Sequence, residues 1–292
     1  MRLALALVAA VLATGGVLAG CGGGNDDEGG ATFTGVPVAL QDPGAVHIHG
    51  LGFDATANVL YLATHTGLFE LLPGSSKAVR IGGSRQDTMG FSAVSSNLWL
   101  GSGHPGAGSD EPPHLGLIRS SNQGRTWRPV SLSGKTDFHL LRARGPLIYG
   151  YDVRSELLFV SSDEGESWTT RPVPEPLLDL AIDPQRPSHL VASGGAVLYE
   201  SEDAGRTWHA TAGGIAGQLA WPATGSLYVV DPVGAVLTAK NAGGNWRTAG
   251  EVGGQPAALL AVDERLLFVA LHDGTVKRSR DGGAHWTTQA TP

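Results

Sequence analysis

The sequence predicts an all-β protein, a six-bladed β-propeller whose blades are four-stranded antiparallel sheets. One observation is an eight-residue segment ending in tryptophan that recurs five times, at intervals of 38–41 residues. Another is the chain between the copies, which consists of short runs rich in β-branched and aromatic residues, separated by Gly and Pro. Such runs are typical of strands and turns rather than helices. A period near forty residues with several short strands per repeat indicates a propeller.

The recurring segment, which we call the octet, has Ser or Ala first, Asp or Asn third, Gly fifth and Trp eighth. The copies are SSNQGRTW (120–127), SSDEGESW (161–168), SEDAGRTW (201–208), AKNAGGNW (239–246) and SRDGGAHW (279–286). Asp, Asn and Ser side chains bond nearby backbone amides and stabilise turns. Glycine supplies a positive φ, and we expect the tryptophan to start the next strand as a large buried anchor. The structural residues predicted on this basis are Asn122, Gly124, Trp127, Asp163, Gly165, Trp168, Asp203, Gly205, Trp208, Asn241, Gly243, Trp246, Asp281, Gly283 and Trp286.

These octets resemble the Asp-box, Ser-x-Asp-x-Gly-x-Thr-Trp, of the sialidase-like and sortilin-like propellers. Three copies match at Ser, Asp, Gly and Trp, one has Asn122 in the Asp position, and the copy starting at Ala239 is degraded. The segments HIHGLGFD, TMGF, GSGHP, LGLIRS and TDFH are together similar to a family of small exported bacterial Asp-box proteins loosely labelled glycosyl hydrolases. This wider resemblance covers residues 45–292. It implies the propeller fold, with each box joining the third and fourth strands of a blade.

Six blades can be marked along the chain, each with four strands named A to D from the centre outwards. The first blade lacks an octet but keeps the alternation of short apolar runs and turns. The blades are expected at 48–82, 90–131, 137–172, 177–212, 217–250 and 256–290. The last blade already has four strands, so the closure of the ring stays open, and residues 33–40 are a further edge strand or clasp in one interpretation. A seventh blade would need more chain than is present.

The start of the chain predicts export and a lipid anchor. Residues 1–20 are positively charged at the start and otherwise apolar or small, which is typical of a secretory signal peptide. The sequence LAGC at its end resembles the bacterial lipobox, which implies lipidation of Cys21, the only cysteine. Residues 21–40 are expected to be a flexible tether, because their Gly- and acid-rich start cannot bury a core, and 41–292 the propeller. The expected location is therefore the cell membrane, on its extracytoplasmic face.

The charge of the chain argues against one class of partner. The formal net charge is −7 and no basic run exists, whereas a nucleic-acid surface needs clustered Lys and Arg. We therefore expect no nucleic-acid partner, and membrane contact only through the lipid on Cys21. The ligand or protein partner cannot be named from these patterns.

Seven of the ten histidines are predicted at one end of the ring, where A strands begin and B strands end. Met89 aligns with His49, each followed by Gly, and Asp87 aligns with His47. One of the seven, His114, lies in a Pro-rich insertion of blade 2. Imidazole suits zinc and copper, and a thioether favours copper, so we predict a ligand or metal site at the channel mouth. Its residues are His47, His49, His65, Met89, His104, His139 and His272. The alternative is a set of polar residues satisfied by water and backbone.

An enzymatic function is the second hypothesis, because the resemblance implies a relation to glycosidases. Sialidase-like catalysis needs an arginine triad, and where that family carries Phe-Arg-Ile-Pro this chain has HIHG. No convincing triad can be assembled from the other arginines. A different glycosidase with two mouth carboxylates stays open, and its candidates are Asp87, Tyr151 and Asp152, with Asp137 and Asp179 as further carboxylates. The third hypothesis is a non-catalytic scaffold for protein assembly, since one fold serves many functions.

Overall fold

The computed structural model describes residues 42–83, 85–211 and 214–292. These residues form six four-stranded antiparallel sheets, which makes the protein a six-bladed β-propeller, as the octet period predicts. The predicted signal peptide, Cys21 and the whole of the predicted tether lie outside the described residues. The part of the chain that the structure describes contains no helix that is long and apolar enough to cross a bilayer.

Each blade is a meander in which strands adjacent in the chain pair in the sheet. The first three blades are β1 (Ile48–Asp54), β2 (Val59–Thr64), β3 (Gly67–Leu71), β4 (Val79–Arg80); β5 (Asp87–Ser95), β6 (Leu98–His104), β7 (Leu117–Ser120), β8 (Arg128–Ser131); and β9 (Phe138–Arg144), β10 (Leu147–Asp152), β11 (Leu157–Ser161), β12 (Thr169–Pro172). The last three are β13 (Asp179–Ile182), β14 (Leu190–Ser193), β15 (Leu198–Ser201), β16 (His209–Ala210); β17 (Gln218–Ala220), β18 (Leu227–Val230), β19 (Ala235–Ala239), β20 (Arg247–Glu251); and β21 (Pro256–Ala261), β22 (Leu267–Leu271), β23 (Val276–Ser279), β24 (Thr287–Ala290).

The first strands of the blades form the inner ring. Each packs against the first strand of the next blade, and β21 of the sixth blade packs against β1 of the first. Blade 6 is built from four consecutive strands, so among residues 42–292 as far as they are described no strand is exchanged across this junction. Closure rests instead on apolar side chains, among them Leu62 and Phe69 of blade 1 and Phe268 and Val276 of blade 6. Residues 33–40, interpreted above as a clasp, lie outside the described residues.

The apolar core is divided into six clusters, one between each pair of adjacent blades. Strand β2 shows the cause, because all six of its residues are buried. Successive side chains of a strand point to opposite faces, so Leu60 and Leu62 pack towards blade 6 while Tyr61 and Ala63 pack towards blade 2. A second strand therefore reads as a continuous apolar run, since both of its faces are covered by neighbouring blades.

The octets form the turns between the third and fourth strands of blades 2 to 6. In the second octet, the hydroxyl of Ser161 accepts the N–H of Gly165 at 2.8 Å and donates to Asp163 Oδ1 at 2.7 Å. Asp163 Oδ1 also accepts the N–H of Ser167, and Oδ2 accepts the hydroxyl of Ser167. The octets at 120–127, 201–208 and 279–286 repeat the Ser-to-Gly bond and the third-residue cap. These polar side chains are fully occupied in holding the turn.

Two expectations for the octets are wrong in detail. Gly243 does not adopt the positive φ found at the four other fifth positions, which lies between 77° and 92°. The physical reason is that Ala239 has no hydroxyl to accept the N–H of the fifth residue, as Ser161 accepts that of Gly165. The five tryptophans are half-buried, not fully buried, and each lies one residue before the fourth strand begins.

Candidate metal centre

Four of the six inner strands carry one unpaired residue close to their start. In β1 this residue is His49, since its two neighbours pair with consecutive residues of β2. The residues left unpaired in the same way are Met89 in β5, His139 in β9 and Ala257 in β21. A bulge of one residue breaks the regular alternation and re-aims a side chain. Three of the predicted site residues thus occupy equivalent bulges in three consecutive blades.

His47 precedes β1 with a left-handed backbone, φ 50°, so the alternation of side chains along the extended strand does not continue to it. Such a φ is uncommon outside glycine. Both rings nevertheless contact His65, with centroid separations of 5.2 Å for His47 and 4.3 Å for His49. His65 directly follows β2, so the three rings meet at the mouth end of blade 1.

The first donor group consists of His49, His65 and Asp87, whose available ligand atoms all lie within 4.8 Å of one another. The Nδ1 of His65 lies 2.8 Å from Asp87 Oδ2. In the tautomer with its proton on Nδ1, the ring of His65 keeps a lone pair on Nε2. Asp87 Oδ1 and His49 Nε2 are buried and have no hydrogen-bond partner. The group therefore offers three electron-pair donors that no protein atom uses.

The electrostatic setting keeps His49 neutral. Burial lowers its pKa from 6.5 to about 4, and the neighbouring imidazoles of His65, His139, His47 and His272 add to the shift. A neutral imidazole is the form that binds a metal ion. The same interactions show that five histidines from blades 1, 3 and 6 lie close enough to act on one another.

The second donor group consists of His104, His114 and Asp137, again within 4.8 Å. Asp137 is only 3% exposed, and its Oδ1 has no partner, as is true of His114 Nδ1. His104 Nε2 and His139 Nε2 both lie 3.2 Å from Asp137 Oδ2. Burial opposes ionisation of Asp137, but the hydrogen bond of His139 and the charges of His139, His104 and His114 together lower its pKa. The carboxylate is thus an anion enclosed by imidazoles.

The two donor groups are neighbours on blades 1 to 3. Asp87 and His104 are paired directly across β5 and β6. His272 lines a cavity between blades 6 and 1 together with His47. Of the predicted metal residues, the structure brings His49 together with His65, and His104 together with His139.

The predicted set of metal ligands did not include His114, Asp137 or Asp87. A sequence signal for Asp137 existed, since it precedes the bulged His139 by two residues, as Asp87 precedes Met89. His114 is one of the seven histidines predicted at the mouth, within the insertion of blade 2, but it is not in the predicted ligand set. Its approach to Asp137 depends on how that loop folds, which no periodicity reports.

The catalytic candidates other than Asp87 are engaged in structural contacts. Asp152 is 4% exposed; its Oδ1 accepts the N–H of Asp137, and its Oδ2 accepts the N–H and hydroxyl of Ser155. Tyr151 is buried, and burial raises the pKa of its phenol. These contacts account for both residues without a reaction, and a catalytic role for them stays a prediction.

Asp179 is also structural. Its carboxylate is fully buried and accepts Arg142 Nη2 at 2.5 Å and the backbone N–H groups of Leu180 and Leu219. Burial outweighs the favourable effect of Arg142 and raises the pKa of Asp179. Of the five carboxyl and phenol candidates considered at this end of the ring, only Asp87 and Asp137 therefore keep an oxygen without a protein partner.

The fold and the two donor groups define the class: a six-bladed β-propeller with candidate cation ligands at one end of its channel. Among solved structures it is similar to YCF48 from Cyanidioschyzon merolae, with 16% identity over 84% of this chain and 85% of that chain and a TM-score of 0.50. A GH74 enzyme from Niastella koreensis gives 15% identity over 84% of this chain and 45% of that chain, with a TM-score of 0.58. YCF48 bound to D1 peptide gives 16% identity over 85% and 84%, with a TM-score of 0.52.

These identities establish the fold alone. The chain spans less than half of the GH74 enzyme's length. No family model and no curated protein matches the sequence.

Proposed function

We propose that the protein is a binding module that takes up a divalent transition metal, Zn²⁺ or Cu²⁺, at its first donor group. The observation that carries the proposal is His49 Nε2, buried and unpartnered beside the equally unpartnered Asp87 Oδ1. Leaving a buried polar atom unpaired costs about 1–3 kcal/mol, and native proteins keep few such atoms. A bound cation satisfies both atoms at once.

The donor set is chemically suited to this task. Two imidazoles and one carboxylate, with a fourth position open, are a common zinc arrangement. The Nδ1 of His65 lies 2.8 Å from Asp87 Oδ2, so one imidazole and the carboxylate already lie side by side. The open position would let the metal exchange or bind a further ligand. The three ligands are nitrogen and oxygen donors, so nothing in the donor set favours copper over zinc.

The test compares metal uptake by the wild-type chain and His49→Gln, using calorimetry with Zn²⁺ or Cu²⁺ and metal analysis after dialysis. Removing a ligand is expected to weaken this site by about 100-fold or more, given that removal of mere supporting partners costs 10–100-fold. The control is His209→Gln, an exposed histidine on β16 that belongs to neither donor group. Equal uptake by wild type and His49→Gln would overturn the proposal.

We also propose that the module is held at the extracytoplasmic face of the membrane by lipid on Cys21. The support is the sequence alone: the apolar leader, the lipobox-like LAGC and the single cysteine. A Cys21→Ser chain is expected in the soluble fraction when expressed in a bacterium. Retention of the Cys21→Ser chain in the membrane fraction would contradict the proposed lipid anchor.

Glycoside hydrolysis is the alternative, supported by the GH74 neighbour and by the free oxygens of Asp87 and Asp137. Turnover of chromogenic glycosides or sialosides that is lost in Asp87→Asn and indifferent to chelators would favour it over metal binding. A scaffold function has one supporting neighbour, YCF48 bound to D1 peptide. If the protein takes up no metal and cleaves no glycoside, the scaffold function is the hypothesis that remains.

A further inference from the structure

We infer that His104, His114 and Asp137 form a second metal site, separate from the first, which ties the insertion of blade 2 to blade 3. The insertion runs from residue 105 to 114, between β6 and β7, and most of it is exposed. The inference goes beyond the proposed function and does not depend on it, because the two groups share no ligand.

The first argument is the proton position on His104. Its Nδ1 lies 2.7 Å from the Pro113 carbonyl oxygen. A carbonyl can only accept, so Nδ1 carries the proton and Nε2 of the neutral ring presents a lone pair. That lone pair lies 3.2 Å from Asp137 Oδ2, which is also an acceptor. Two acceptors facing each other repel, and a cation between them removes the repulsion.

The spacing of these atoms fits one ion. Zinc lies about 2.0–2.2 Å from its nitrogen and oxygen ligands, so two ligands of a tetrahedral ion lie about 3.3 Å apart. The separation of His104 Nε2 and Asp137 Oδ2, 3.2 Å, matches this value. His114 approaches the same point, with its ring centroid 5.4 Å from that of His104.

The second argument is the unpaired atoms. Asp137 is 97% buried, yet its Oδ1 has no partner, and His114 Nδ1 is buried without one. His139 takes a different part: its Nε2 lies 3.2 Å from Asp137 Oδ2 and orients the carboxylate. This is the arrangement of a ligand with a supporting partner.

The placement of the three donors gives the site a mechanical consequence. His104 ends β6, His114 ends the insertion, and Asp137 directly precedes β9. The protein's own ties include the His104 bond to the Pro113 carbonyl and two backbone bonds, from Gly134 N–H to the His114 carbonyl and from Leu115 N–H to the Gly103 carbonyl. A metal would add a link between the insertion and blade 3. Because His104 pairs with Asp87, the linked insertion lies beside the first donor group.

The experiment counts zinc ions bound per chain in four proteins: wild type, His49→Gln, His114→Gln and the double variant. The expected values are two, one, one and none. Co²⁺ in place of Zn²⁺ should give the visible absorption of a four-coordinate site in the His49→Gln protein. Asp110→Asn, which removes an exposed carboxylate from the same insertion, is the matched control and should bind two ions.

A second readout is hydrogen exchange of residues 105–114. Zinc should slow it in wild type and in His49→Gln but not in His114→Gln. Asp137→Asn repeats the test with a different ligand, and circular dichroism of every variant checks that the ring is folded. His114→Gln alters a half-buried loop residue, so it keeps the test valid if Asp137→Asn fails to fold.

The outcomes separate the two proposals. Uptake of one ion, lost only in His49→Gln, would overturn the second site and support the first. Uptake of one ion, lost only in His114→Gln, would support the second site and overturn the first. No uptake at all would overturn both and would assign the short contacts of Asp137 to a doubly protonated His104.

Discussion

The octet turns and the channel mouth lie at opposite ends of the blades, and both are built from aspartates at strand ends. In the octet, both oxygens of Asp163 are bonded, and Ser161 is bonded to them and to Gly165. At the mouth, donors converge without being used. Seven buried side-chain polar atoms of the described residues lack a partner, and four of them belong to the two donor groups. Bonded Ser and Asp side chains thus characterise the octet turns, where the indole nitrogens of Trp127 and Trp208 are the unpartnered atoms, and convergent unpaired donors characterise the end available for a ligand.

The channel mouth contains a fully bonded carboxylate, Asp179, and a carboxylate with one unpartnered oxygen, Asp87. Comparing their replacement gives the largest expected difference in the free energy of unfolding. Asp179→Asn would leave the Arg142 guanidinium without its charged partner in a buried site, so we expect a loss of about 3 kcal/mol of unfolding free energy. Asp87→Asn should change stability by less than about 1 kcal/mol, because one oxygen of Asp87 has no partner and an amide oxygen still accepts from His65.

Urea denaturation of both variants, in the presence of a chelator, measures the difference. A larger loss for Asp87→Asn than for Asp179→Asn would contradict the division into structural and available carboxylates. His209→Gln is the control for a charge-neutral surface change.

The glycines of the octets test the structural end, with a smaller effect. Gly165 has φ 90°, and a Cβ there would overlap Leu117 Cδ2, whereas Gly243 has no positive φ and open space around it. Left-handed strain and overpacking together predict a loss of about 2–4 kcal/mol for Gly165→Ala. Gly243→Ala should be neutral within about 0.5 kcal/mol. Thermal denaturation measures both, and equal losses would refute the distinction between intact and degraded octets.

The smallest effect is expected from pH. Hydrogen bonds from the Ser167 hydroxyl and N–H lower the pKa of Asp163 from 3.8 to about 2. An acid with a lowered pKa in the folded state stabilises the fold above the unfolded value and loses that contribution as pH falls through the folded one. The stability advantage of wild type over Asp163→Asn should therefore shrink between about pH 4 and pH 2.

Denaturant midpoints of the two proteins across this interval give the measurement. The octet with Asn122 shows that an amide can make the same turn, so Asp163→Asn should fold. A difference that stays constant from pH 5 to pH 2 would show that the octet carboxylate contributes nothing through its charge.

The ring could be predicted because its signals are periodic. Tryptophans at fixed intervals mark the blades, and strands such as β2 read as apolar runs because two neighbours cover them. The alignment of His49 with Met89 also identified equivalent positions, which the structure shows as equivalent bulges.

The convergence of donors could not be predicted in the same way. A bulge shifts one residue without changing the apolar pattern, and a left-handed residue such as His47 is not signalled by its type. Asp137 meets His104 of the preceding blade across the blade junction, and His114 reaches both through the folding of an insertion. Contacts of that kind depend on side-chain reach between blades rather than on spacing along the chain.

The bulges of the inner ring have a consequence for how such a protein can change. A bulged residue contributes no ladder hydrogen bond, so its side chain can be exchanged without disturbing the strand pairing around it. The four bulged positions can therefore carry different side chains while the strand pairing stays the same; they are occupied here by His49, Met89, His139 and Ala257. The side chains at the channel mouth and the stability of the ring can therefore change separately in evolution. In protein design, the side chains at the bulges can be replaced without redesigning the strand pairing.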